Sequence, residues 1–79
     1  MNMKSKESVM ELIYAAYDSM GQDAKDITDI VPEMPINWEK AASYRVTRQD
    51  NHIARVWSKD IDDDNDQNIK ISLELFQPQ

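Results

Sequence analysis

Apolar positions recur at helical spacing over the first quarter of the chain and in alternation over its second half, so the sequence divides into a helical and a strand region. Val9, Leu12, Ile13, Ala16, Tyr17 and Met20 fall on one side of a helix. Ser8 with Glu11 three residues later makes a capping-box pattern, and Ser5 offers a cap for the same helix one turn earlier. Gly21, the only glycine, stands where a helix C-terminus favours a left-handed residue. The spacing predicts a helix over 6–20. Met10 and Tyr14 widen its apolar stripe to about 200°, where packing on one sheet face needs about 100°. Either a second helix of the same chain or a partner subunit covers the surplus, which makes Met10 and Tyr14 candidate contact residues.

A second, short helix is expected over 24–31. Asp23 is placed to cap it, Ala24, Ile27, Ile30 and Val31 share a face, and Pro32 biases Val31 out of helical geometry. About two turns of helix survive only by packing. The stretch from Pro32 to Trp38 then reads as an ordered connection anchored by Met34, Ile36 and Trp38. It contains a PxxP pattern, but its mid-domain position beside acids argues against a polyproline ligand.

From Ala42 the pattern alternates. Residues 42–48 and 52–59 are rich in β-branched and aromatic side chains and flank Gln49-Asp50-Asn51, which predicts a hairpin. Two registers compete. A three-residue loop with Asn51 left-handed pairs Val46 with Ala54, buries Tyr44, Val46, Ala54 and Val56, and turns Arg45, Ile53, Arg55, Trp57 and Lys59 outward. A two-residue turn instead sends Tyr44, Val46, Ile53 and Trp57 to the core and drags Arg55 with them. The first is favoured because a buried Arg55 would need a partner. Over 68–76, Ile69, Ile71, Leu73 and Leu75 alternate with Lys70, Ser72 and Glu74, which predicts a third, half-buried strand ended by Pro78. The expected fold is therefore one α+β domain over 1–79. One long and one short helix pack on one face of a three-stranded antiparallel sheet in the order α-α-β-β-β.

At 79 residues such a domain buries only about 60% of the surface of its unfolded chain, and without cysteine it has no disulfide to compensate. That composition fits a reducing compartment. With charged residues following Met1 closely and no apolar run approaching about 20 residues, the chain reads as soluble, cytoplasmic and not membrane-bound.

The net charge of −6 is segregated along the chain. Residues 1–39 carry three lysines against eight acids, residues 40–59 five bases against one acid, and residues 60–79 one lysine against six acids. This balance argues against direct nucleic-acid binding. Asp60, Asp62, Asp63, Asp64 and Asp66 form an acidic loop, five aspartates in seven positions. Such density demands solvent, a cation or a positive partner. As an EF-hand loop, Asp63, Asn65, Gln67 and Glu74 would take positions 1, 3, 5 and 12, but Asn68 stands at the glycine position, Lys70 at the apolar one, and a strand is expected where the motif needs a helix. No metal site and no cofactor are assigned.

Catalytic chemistry has little to draw on. His52 is the only imidazole and lies by the hairpin turn, where Ser43, Ser58 and Asp50 make an unsupported set of partners. One glycine cannot build a phosphate loop. No catalytic residue is expected. The reading is a small acidic non-enzymatic module that works by protein–protein contact with a partner of unknown identity or as a homodimer, with Arg45, Ile53, Arg55, Trp57 and Lys59 on the sheet face and Met10 and Tyr14 on the helix as contact residues. The alternatives are an acidic imitation of nucleic-acid phosphates that inhibits a basic protein, and a weak Ca²⁺-binding module.

Overall fold

A computed structural model describes residues 4–79; residues 1–3, the start of the N-terminal stretch, lie outside the described residues. The first helix, α1 (Lys6–Ser19), starts at Ser5, whose hydroxyl accepts from the Ser8 N–H at 3.2 Å while the Ser5 N–H donates to the Ser8 hydroxyl at 2.9 Å. The box is therefore Ser5 with Ser8 and not Ser8 with Glu11. Gly21 closes the helix at φ +83°, a conformation that costs glycine little.

The expected helix over 24–31 is absent. Asp23 does cap, accepting from the Lys25 N–H at 2.9 Å, but only one 3-10 turn (Ala24–Asp26) forms before the chain extends into strand β1 (Ile27–Glu33). The β-branched run Ile27-Thr28 and Ile30-Val31 favours the extended state. Helical spacing arose here from a β-bulge. Ile27 pairs with Arg48 and Asp29 with Thr47, so Thr28 is the extra residue, and Ile27 and Ile30 reach the core face although three positions apart.

Strands β2 (Ser43–Arg48) and β3 (His52–Trp57) form the predicted hairpin in the first register, with Tyr44 opposite Val56, Arg45 opposite Arg55 and Val46 opposite Ala54. Asn51 is left-handed at φ +66°, as a three-residue loop requires. The third strand ends at Trp57. Residues Ser58–Asp62 turn into a short helix, α2, and the expected strand over 68–76 is instead helix α3 (Asp66–Glu74). Asn65 caps α3 by accepting from the Asn68 N–H at 3.1 Å. Alternating apolar residues wound into a helix separate into two sets: Ile69 and Leu73, one turn apart, are buried, whereas Ile71 and Leu75 face solvent. The chain ends in a two-residue strand, β4 (Gln77–Pro78), that pairs with His52 and Ile53.

The fold class is thus α+β with an antiparallel sheet, but the sheet has four strands in the order β1-β2-β3-β4, and helices α2 and α3 interrupt the strands. Tyr44, Val46, Ala54 and Val56 from one sheet face join Val9, Ile13 and Tyr17 of α1, Ile61 of α2 and Ile69 and Leu73 of α3 in one core. The wide apolar arc of α1 is accounted for within the chain: α3 packs beside it, and Phe76 meets Tyr17 edge-on at 5.9 Å between ring centroids. The free edge of β1 is blunted against strand addition by the Thr28 bulge, the charged Asp29 and Glu33, and Pro32, which has no N–H to offer. Among the described residues, no helix is long and apolar enough to cross a membrane.

Candidate functional site

With the helices on one face of the sheet, the other face is uncovered. Alternation brings Val31 and Glu33 of β1, Arg45 and Thr47 of β2, and Ile53, Arg55 and Trp57 of β3 to it. Of the predicted contact residues, Arg45, Ile53, Arg55 and Trp57 therefore come together as expected. Lys59 does not share that strand face; it is exposed on α2, two residues beyond Trp57. Lys70 is on α3 and pairs with Asp66 at 2.8 Å. Met10 and Tyr14 are half-buried and pack against the core, so the chain itself covers much of what made them candidates.

Arg45 and Arg55 face each other across the β2–β3 ladder, an arrangement that repels unless something bridges it. Glu33 is the bridge. Its Oε2 lies 3.4 Å from Arg45 Nη1 and its Oε1 3.5 Å from Arg55 Nε. Oε1 is buried and makes no well-aligned hydrogen bond, so the Arg55 contact is an ion pair without hydrogen-bond geometry. One half-buried carboxylate leaves most of the ten guanidinium N–H donors open. Beside this cluster Trp57 is 49% exposed, opposite the fully buried Ser43, whose hydroxyl has no partner. A half-exposed indole and two arginines therefore stand together on two paired strands.

At the same end of the sheet, the connection after Glu33 presents Met34 and Ile36, the latter 85% exposed. It is ordered by Asn37, whose side-chain oxygen accepts from the Glu39 and Lys40 N–H groups at 2.9 Å, and by Trp38, which stacks on Tyr44 at 5.8 Å. The Tyr44 hydroxyl also donates to the Trp38 carbonyl. Sequence reasoning read Met34 and Ile36 as anchors; the structure makes Trp38 the anchor and leaves the other two outside. Glu33 went unnoticed because the helix expected over 24–31 took β1 off the sheet.

The other end of the hairpin carries a polar cluster. Asp50 Oδ2 is 2.8 Å from His52 Nδ1 and 2.9 Å from Arg48 Nη2, and Asp50 Oδ1 accepts from the His52 N–H at 3.1 Å. The His52 ring foremost, then its backbone N–H and the Arg48 guanidinium, hold the Asp50 carboxyl down to about 2. Arg48 also lies over the Phe76 ring at 4.4 Å. The Tyr17 hydroxyl is buried with no well-aligned partner, yet its nearness is the main influence raising the Arg48 pKa, ahead of Asp50. Asp26, Arg48, Gln49 and Asp50 line an open cleft of about 190 Å³, below the size of ordinary ligand pockets. Neither Ser43 nor Ser58 joins His52. Both sit at the far end of the strands, and Ser58 accepts from Lys4.

A pH dependence follows from Asp50. Because its folded pKa lies below the ordinary 3.8, its contribution to stability is present above about pH 4 and is lost as pH falls toward 2. The difference in melting temperature between the wild type and Asp50→Asn is expected to shrink between pH 4 and 2. An Asp50 carboxyl that titrates near 3.8 by NMR would contradict the contacts.

The aspartate run is not one loop. Asp60 and Asp62 are on α2, Asp63 and Asp64 form a turn with Asp64 left-handed at φ +50°, and Asp66 opens α3. Asp62 pairs with Lys4 at 2.9 Å. A helix does follow, contrary to expectation, but it starts inside the would-be EF-hand loop, so Gln67 and Glu74 project from α3 and not from a ligand loop. Among the described residues, no three acidic or histidine side chains converge on a point that would hold a metal ion. Compared with models of protein families, with curated proteins and with solved structures, the chain matches none of them.

Proposed function

We propose that this chain is a non-enzymatic protein-binding module whose uncovered sheet face, centred on Trp57, docks a protein partner. The observation that carries the reading is the half-exposed Trp57 fixed at the end of β3 beside the paired hairpin arginines, with Ile53 beyond them on the same face. Tryptophan and arginine dominate interface hot spots because they bury large area for few rotamers and add directional donors. β2 and β3 hold them in place, which reduces the ordering cost of binding. The projecting Met34 and Ile36 extend the apolar area at that end of the sheet.

The reading of an acidic surface that imitates phosphates draws less support. Lys4 and Lys70 neutralise Asp62 and Asp66, and the acids spread over two helices and a turn. In the proposed role, Trp57→Ala is expected to weaken partner binding by about 2 kcal/mol or more, roughly thirtyfold, while thermal stability stays within about 0.5 kcal/mol. The comparison is a quantitative capture of binding proteins by wild type and by Trp57→Ala and Arg55→Glu variants, with melting curves alongside. Equal retention by all three would count against the sheet face.

A further inference from the structure

The fold leaves a second apolar surface uncovered. On the outward side of α3, Ile71 is 47% and Leu75 60% exposed, one turn apart. Their surroundings are acidic on balance, because Lys70 beside Ile71 is paired with Asp66. Glu74 is adjacent and makes no ion pair among the described residues, and Asp63 and Asp64 stand at the N-terminal end of the same helix. Around Trp57 the sheet face carries Arg45 and Arg55 against the half-buried Glu33, with Asp29 farther off on the edge strand and Lys59 outside the face on α2.

These two surfaces cannot meet within one molecule. α3 packs on β3 through Ile69 and Leu73, so Ile71 and Leu75 point away from the sheet, and Trp57 points away from the helices. A second copy can join them. We propose that copies of this chain associate front to back, the Ile71–Leu75 stripe of one seated on the Trp57 face of the next. The inference rests on the sheet face being a docking surface and commits that face to one occupant. Each patch supplies two large apolar groups, Trp57 and Ile53 on one side and Ile71 and Leu75 on the other, and the Arg45–Arg55 pair between Trp57 and Ile53 opposes the acids of the helix.

The geometry has consequences for assembly. Unlike patches make a heterologous contact, which grows into a ring or an open chain instead of stopping at a symmetric dimer. Strand addition at the β1 edge is not the route, because that edge is blunted. A net charge of −6 per copy opposes approach at low ionic strength, so association is favoured near 0.15 M salt, where charges beyond about 8 Å are screened.

Sedimentation velocity at 0.15 M salt from roughly 10 μM to 1 mM tests this, using the full chain, a front variant (Trp57→Ala with Arg55→Glu) and a back variant (Ile71→Gln with Leu75→Gln). All substituted positions are largely exposed, circular dichroism checks folding, and Arg55→Glu alone replaces the front pair if that pair unfolds. The wild-type mass is expected to rise with concentration from 9.2 kDa beyond twice that value. Each variant alone stays at the monomer mass. An equimolar mixture forms one-to-one pairs and stops there, since one copy lacks a front and the other a back. A wild type that stays monomeric throughout overturns the proposal and leaves the sheet-face reading to the capture comparison. Association lost with the front variant but kept by the back variant overturns front-to-back packing alone. Association lost only with the back variant overturns front-to-back packing and likewise leaves the sheet-face reading to the capture comparison.

Discussion

Leu73→Ala is expected to remove about 2–5 kcal/mol of stability, whereas Ile71→Ala, two residues away, should change it by less than about 0.5 kcal/mol. Leu73 is fully buried on the core side of α3 and Ile71 is half-exposed on the other. The contrast discriminates between the two states this segment's pattern allows. In a half-buried strand, Ile71 and Leu73 share a face, and truncating either would cost alike. A chain of this length has about 4–12 kcal/mol in total, so the Leu73 variant should lie near the edge of folding while the Ile71 variant melts with the wild type. Urea titrations of the two variants decide it. Equal shifts of the midpoint would mean that the segment is a strand.

Tyr44→Ala is expected to be as damaging, at about 3–5 kcal/mol, and to have a local signature as well. The ring is fully buried in the centre of the sheet, stacks on Trp38, and its hydroxyl holds the Trp38 carbonyl. Losing it opens a cavity and unhooks the connection that presents Met34 and Ile36. Tyr44→Phe keeps the ring and drops the hydrogen bond, for a loss of about 1 kcal/mol. Trp38 emission, read in a Trp57→Phe background, should shift to the red for Tyr44→Ala and little for Tyr44→Phe. Unchanged emission in Tyr44→Ala would show that Trp38 is held by something else.

The parts of the fold legible in the sequence were those where local chemistry and long-range packing agree. Ser5, Gly21 and the apolar stripe defined α1. The cost of burying Arg55 favoured, without deciding, the register that the hairpin adopts, in which Asn51 is left-handed and Trp57 faces outward. Where periodicity and structure part company, the reasons are specific. Thr28 bulges out of β1 and so gives a strand the i, i+3 spacing of a helix. The 68–76 segment alternates like a strand but is capped by Asn65, and α1 supplies a partner for only one of its two apolar sets. The pattern that misled is the same one that leaves Ile71 and Leu75 outside. Asp63 and Asp64 disguised a tight turn between two helices as part of a long solvated loop.

The candidate surface was legible to the same extent as the hairpin. Arg45, Ile53, Arg55 and Trp57 were found because alternation alone groups them once the register is known. Glu33 required β1, which required the bulge, and the exposure of Met34 and Ile36 depended on which aromatic residue of the connection docks on Tyr44. Met10 and Tyr14 were left open between a second helix of the same chain and a partner subunit, because the helix that packs beside α1 lies at the other end of the chain, beyond the reach of local pattern.

The central claim is that Trp57 stands ready on an open face and becomes covered on docking. Iodide quenching of Trp57 fluorescence in the Trp38→Phe variant, measured from dilute to concentrated protein at 0.15 M salt, tests it most directly. The account predicts efficient quenching when dilute and progressive protection as molecules associate. A Trp57 already shielded in the dilute monomer would contradict it, and one equally open at every concentration would contradict association between copies.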